Sequence, residues 1–174
     1  MISDLLNKYG SDKCMSHPYK IVYDPYFKEL EGRPIDLLEI GVLYGASLMA
    51  WKDYFPLGHI VGIDKEDNRK WKRPDVEFII TDIKNYTPDR SFDVIIDDGS
   101  HKPEDIAYTF FKLSKYLKSN RLMIIEDVHN EFIPKAWEAL SKLEGKFTIE
   151  ILNFQRIMND PYHNLIVLHK HYDI

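Results

Sequence analysis

The chain has 174 residues, 44% hydrophobic and 13% aromatic, enough to bury about two-thirds of its unfolded surface as one globular domain, 1–174, with no room for a second catalytic domain. Its formal charge of -5 and pI near 5.8 argue against a nucleic-acid partner, which clustered Lys and Arg would have to hold. A single cysteine, Cys14, excludes an intrachain disulfide or zinc–cysteine cluster and fits a reducing, cytoplasmic setting; with no signal-peptide core and no apolar run near the roughly 20 residues of a membrane span, no membrane association is expected.

Apolar runs of strand length at 37–40, 59–63, 76–80, 92–96 and 122–125 alternate with amphipathic stretches at 46–54, 103–117 and 133–143. That alternation predicts a buried parallel sheet with helices on both faces. Between the second and third strands, Lys65, Arg69, Lys70, Lys72 and Arg73 are interrupted by Glu66 and Asp67, a pattern expected of a solvated loop. The helix at 103 starts well: Pro103 loses no hydrogen bond in a first turn, and Glu104 and Asp105 complement the positive end of the dipole. Two last runs, 147–152 and 165–169, are too close for an intervening helix and are expected to pair antiparallel.

The first strand runs into Leu38-Glu39-Ile40-Gly41-Val42-Leu43-Tyr44-Gly45-Ala46-Ser47. Gly41 and Gly45 mark a strand-to-helix turn that a ligand can approach closely. A dinucleotide fingerprint would need glycine at position 43, where Leu43 stands, so a pyrophosphate cradle is not expected. Glu39 suits a cationic ligand such as a sulfonium amino acid, and Ser47 with the first helical amides suits its carboxylate. Asp64, closing the next strand, can accept both hydroxyls of a ribose, and Asp82, after the third, an adenine amino group. Tyr44, Lys65, Ile83 and Asp97 flank these positions and complete the expected cofactor contacts.

The fourth strand emerges into Asp97-Asp98-Gly99-Ser100-His101, the fifth into Glu126-Asp127. Asp98, Glu126 and Asp127 on one rim would repel one another unless a cation joins them. All-oxygen ligation favours a hard ion, Mg²⁺ first or Mn²⁺. Such an ion lowers the pKa of a substrate hydroxyl, leaving His101 as general base for attack on a sulfonium methyl group. His129, in Asp127-Val128-His129-Asn130, suits either substrate binding or a solvated loop.

Five parallel strands followed by an antiparallel pair is the sheet plan of class I methyltransferases: a Rossmann-like α/β fold with a mostly parallel seven-stranded sheet and an antiparallel last strand. Asn7-Lys8-Tyr9-Gly10-Ser11-Asp12-Lys13, the tyrosines 19, 23 and 26, Leu38-Glu39-Ile40-Gly41, Ile96-Asp97-Asp98-Gly99-Ser100-His101 and Ile125-Glu126-Asp127 resemble the metal-dependent sugar O-methyltransferases of macrolide antibiotic biosynthesis, the mycinamicin and macrocin group. Sequences labelled cephalosporin hydroxylases and rhamnosyl O-methyltransferases are similar too. The resemblance implies S-adenosylmethionine as cofactor, Mg²⁺ on Asp98, Glu126 and Asp127, and His101 as base. It also implies a helical cap, 1–30, that brings Tyr9, Ser11, Lys13 and Tyr23 over the cofactor.

Three departures stand out. The macrolide enzymes are longer, Ile83 stands where they often carry a polar residue, and His163 replaces an acidic lead-in to the last strand. The expected acceptor is a small-molecule hydroxyl, a sugar or other vicinal diol, with a homo-oligomer possible. A nucleotide-sugar oxidoreductase, which Leu43 disfavours, and a non-catalytic S-adenosylmethionine-binding module are the competing readings.

Overall fold

A computed structural model describes the whole chain except residues 143–144, 155–160 and 172–174. The chain divides into two compact units, Met1–Asn85 and Tyr86–Ile174.

The first unit opens with three helices, α1 (Ile2–Tyr9), α2 (Asp12–Met15) and α3 (Lys20–Lys28). Strand β1 (Asp36–Ile40), helix α4 (Ala46–Tyr54), β2 (His59–Asp64) and β3 (Glu77–Ile80) follow. The three strands run parallel with β2 in the middle, pairing Ile40 with Ile63 and Asp64 with Ile80. Helix α4 lies close on β2 because position 62 is glycine: a Cβ there would stand 2.6 Å from Leu48 Cδ1. The N-terminal helices are anchored by aromatic rings rather than by propensity. Tyr23, Phe27, Trp51 and Phe55 are all fully buried, with centroids 5.1 to 5.4 Å apart along the cluster, a spacing that adds edge and stacking attraction to the burial itself.

The second unit holds β4 (Phe92–Asp97), α5 (Pro103–Leu113), β5 (Leu117–Val128), α6 (Ile133–Ser141), β6 (Phe147–Leu152) and β7 (Asn164–Lys170). Strands β4 and β5 are parallel, while β7 is antiparallel to both β5 and β6. Every residue of β4 is buried, as a strand covered on both faces requires.

Three elements have boundaries that differ from the sequence reading by more than one residue. The helix predicted to reach 117 stops at Leu113, gives way to a 3-10 turn at Ser114–Tyr116, and Leu117 already begins β5. Its exit carbonyls are capped from far along the chain: the buried Lys170 ammonium donates to Leu117 O at 2.5 Å and Ser114 O at 3.4 Å, satisfying groups a helix end leaves open. Strand β5 is longer than its apolar run: it begins at Leu117 and passes through a register shift against β4 between Phe92 and Val94, with Asn120 at φ 55. The predicted helix at 133–143 ends at Ser141, its last position lying outside the described residues. No described helix is long and apolar enough to cross a membrane.

Candidate active site

In the first unit, the turn after β1 has left-handed backbone at Gly41 (φ 82), Leu43 (φ 47) and Gly45 (φ 83). Asp64, at the end of β2, holds it: Oδ2 accepts the amides of Val42 at 2.8 Å and Leu43 at 3.0 Å. Asp64 Oδ1 meets the Glu66 amide at 3.5 Å, a distance at which it keeps acceptor capacity for ligand hydroxyls. Asp82 accepts the Lys84 amide at 2.8 Å and pairs with Lys65 Nζ at 3.1 Å. The amide first and the ammonium second hold its carboxyl below the usual range. Ile83 follows in a 3-10 turn, largely buried.

Glu39 and Ser47 face each other. Glu39 is fully buried; its Oε2 accepts Ser47 Oγ at 2.8 Å and Trp51 Nε1 at 3.0 Å, and Lys13 Nζ lies 3.3 Å from Oε1. This network ties β1, α2 and α4 together under the turn, so Glu39, Ser47 and Lys13 prop the site from within. Ser11 is buried at the start of α2, its amide bonded to Leu6 O at 2.9 Å. Tyr23 belongs to the aromatic core. Tyr9 donates its hydroxyl to Asp53 Oδ2 at 2.6 Å, and Tyr44 is exposed with Lys70 Nζ 3.9 Å above its ring. The basic loop is laced by carboxylates, Arg69 and Lys72 on Asp67 and Arg73 on Asp75 and Asp53.

In the second unit, β4 delivers Asp97 and Asp98, and β5 delivers Glu126 and Asp127. Ligand atoms of Asp98, His101 and Asp127 all lie within 4.8 Å of one another, each residue half-buried. His101 Nε2 is 4.0 Å from Asp98 Oδ1. Two of the three carry left-handed backbone, His101 at φ 58 and Asp127 at φ 54, a conformation that costs non-glycine residues free energy and clusters at functional sites. The β5–β7 register shifts between Ile125 and Val128, across Asp127. Glu126, its neighbour, is 1% exposed and stands outside the trio. Asp97 is buried behind the rim: burial, more than the nearby Asp98 and Asp105, pushes its carboxyl up to about 7 against the opposing Gly99 amide and Thr109 hydroxyl. His129 accepts the Glu131 amide at 3.2 Å through Nδ1.

No family model matches the chain. Among curated proteins it is 31% identical to L-olivosyl-oleandolide 3-O-methyltransferase of Streptomyces antibioticus, over 73% of the chain and 37% of that protein. It is 26% identical to mycinamicin VI 2''-O-methyltransferase of Micromonospora griseorubida, over 99% of the chain and 51% of the relative. The chain thus spans about half, or less, of the curated relatives it matches. Among solved structures, the MycE methyltransferase of the mycinamycin pathway, in complex with Mg, SAH and mycinamycin VI, superposes with a TM-score of 0.75 at 22% identity, covering 99% of this chain and 55% of that one.

The fold is that of the class I methyltransferases.

In a class I methyltransferase fold ligands bind at the carboxyl ends of the strands; in the first unit Gly41 and Gly45 lie in the turn after β1 and Asp64 ends β2, and in the second unit Asp97 ends β4 with Asp98 following it. Sequence reasoning missed two features. One is Trp51, whose indole joins Glu39; a tryptophan inside an amphipathic helix carries no sign of a polar partner. The other is Asp53, near the end of α4, whose carboxylate accepts from Tyr9, Lys8 and Arg73. Signals existed only for the strained positions, since Asp and His are among the few residues that tolerate left-handed backbone.

Proposed function

We propose that the chain is an Mg²⁺-dependent O-methyltransferase that uses S-adenosylmethionine to methylate a hydroxyl of a sugar or other vicinal diol. The observation that carries this reading is the convergence of Asp98, His101 and Asp127 within 4.8 Å on backbone that is strained at two of the three. Two half-buried carboxylates so close repel unless a cation joins them, and their oxygens suit Mg²⁺ or Mn²⁺. Asp98 and Asp127 would hold the ion, with Glu126 beside them as the third carboxylate. The Gly41–Gly45 turn, Asp64, Lys65 and Asp82 would hold the nucleoside and amino-acid portions of the donor, with Tyr9, Ser11, Lys13, Tyr23, Glu39, Tyr44, Ser47, Ile83 and Asp97 shaping that cradle.

When bound, the ion lowers the pKa of a chelated hydroxyl and the donor supplies an electrophilic methyl group. His101 Nε2 takes the hydroxyl proton and Asp98, 4.0 Å away, stabilises the imidazolium. In such a transfer the methyl–sulfur bond of the donor would break as the methyl–oxygen bond forms, with the hydroxyl proton left on His101. Positioning and charge then carry the rate, since no covalent enzyme intermediate is needed.

A sugar acceptor is supported by the relatives, whose names include rhamnosyl and olivosyl acceptors. A second copy of the chain could complete the acceptor side, and the lone Cys14 suits the cytoplasm. An oxidoreductase reading would need glycine at Leu43. The test is transfer of labelled methyl from S-adenosylmethionine to a panel of rhamnosides and other vicinal-diol glycosides, with and without EDTA. Label in the glycoside that disappears with EDTA is expected; undiminished transfer after complete metal removal would rule the mechanism out.

A further inference from the structure

Asp53 carries no motif in the sequence, yet in the last turn of α4 it gathers three donors from two other segments. Its Oδ2 accepts Tyr9 Oη at 2.6 Å and Lys8 Nζ at 2.9 Å, both from the end of α1. Its Oδ1 accepts Arg73 Nη1 at 2.7 Å, while the other face of that guanidinium is held by Asp75 at 2.7 and 2.9 Å. The Tyr9 ring stands edge-on to Trp71 with centroids 5.3 Å apart. Trp71 in turn braces the cofactor turn. Its amide donates to Tyr44 O at 3.0 Å beside that of Lys70 at 2.9 Å, and its carbonyl lies 2.6 Å from where a Cβ on Gly45 would stand.

Isolated surface ion pairs contribute little to stability. A carboxylate that fixes the guanidinium of Arg73 and the hydroxyl of Tyr9 together does something else: it sets where the segment 69–73 lies, and that segment is packed directly on Gly45. A loop already held in its bound geometry binds more tightly because no ordering cost is left for the ligand.

We propose that Asp53 is a positioning residue for the cofactor turn, holding the 69–73 segment against Tyr44 and Gly45 and thereby setting affinity for the methyl donor. The proposal rests on reading that turn as the S-adenosylmethionine site. The experiment is calorimetric titration of S-adenosylhomocysteine into the unsubstituted chain, Asp53→Asn, Tyr9→Phe and, as a control ion pair in the other unit, Asp93→Asn. Affinity should fall about fivefold or more in Asp53→Asn and Tyr9→Phe, a typical coupling between sites, and stay near that of the unsubstituted chain in Asp93→Asn. Trp71 emission, obtained as the difference from Trp71→Phe in each background, should shift in Asp53→Asn; a merely stabilising ion pair would not move it. Tyr9→Phe removes one hydroxyl and serves if Asp53→Asn fails to fold.

Normal binding by the unsubstituted chain, with unchanged affinity in both variants or an unshifted Trp71 emission, would overturn the proposal alone. No binding by the unsubstituted chain would overturn the reading of the turn and this proposal with it.

Discussion

Glu39 and His101 illustrate two fates of a polar side chain at a strand end. Glu39 is buried with an ammonium, a hydroxyl and an indole around it, so its removal leaves Lys13 charged in an apolar interior. Glu39→Ala should cost about 3–5 kcal/mol, and adding Lys13→Met should recover part of it; urea unfolding of the single and double variants checks both. His101 is more open, 38% exposed at the side chain, and its expected role is chemical. His101→Ala should lower turnover by about 10²-fold or more while affinity for S-adenosylhomocysteine holds, and an equal loss of both would refute the base assignment. At this scale the sequence displayed which residue types stand at the rim, because Asp98, His101 and Asp127 follow directly on apolar strands. It did not display that Glu39 turns inward, since Trp51, twelve residues on, and Lys13, twenty-six back, become its partners only after folding.

Elements were legible where one periodicity ruled. Helix α4 has the predicted bounds, and the strand from 59 differs by one residue, because their apolar patterns are uncontested. The end of α5 was not legible: amphipathic character continues past Leu113, and the side chain that caps the exit, Lys170, lies 53 residues beyond Leu117. The Gly41–Gly45 turn depends on glycine at position 45 for two reasons at once, a φ of 83 and the Trp71 carbonyl 2.6 Å from a would-be Cβ. Gly45→Ala should therefore destabilise the first unit by about 1–3 kcal/mol and abolish detectable S-adenosylhomocysteine binding, which thermal unfolding with and without ligand would report. Asp53, joining α1 to the 69–73 segment, adds a pH signature. Hydrogen bonds from Tyr9 first and Lys8 next lower its carboxyl from 3.8 to about 2. A group lowered on folding stabilises above its ordinary value and loses that contribution as pH falls through the folded one. The advantage over Asp53→Asn, about 1–2 kcal/mol after solvent screening, should be constant above about pH 5 and shrink between about pH 4 and pH 2. An advantage independent of pH in chemical denaturation would contradict it.

At the scale of the whole chain, a net charge of -5 and an acidic rim favour cations over polyanions as ligands. The sheet plan was readable because five short apolar runs, with amphipathic stretches after the first, fourth and fifth, permit few arrangements, and the final hairpin followed from a gap too short for a helix between the last two runs. What the sequence could not display is the irregularity of β5 at Asp127, a tertiary feature that brings its carboxylate to Asp98 and His101. The central claim is that this convergence binds one divalent ion. It is tested most directly by titrating Mn²⁺ into the metal-free chain in a calorimeter, in parallel with Asp98→Asn and Asp127→Asn. One saturable site in the unsubstituted chain, weakened about tenfold or more in each variant as loss of a ligand implies, is the predicted result. Absence of a binding isotherm, or identical isotherms in all three proteins, would contradict it.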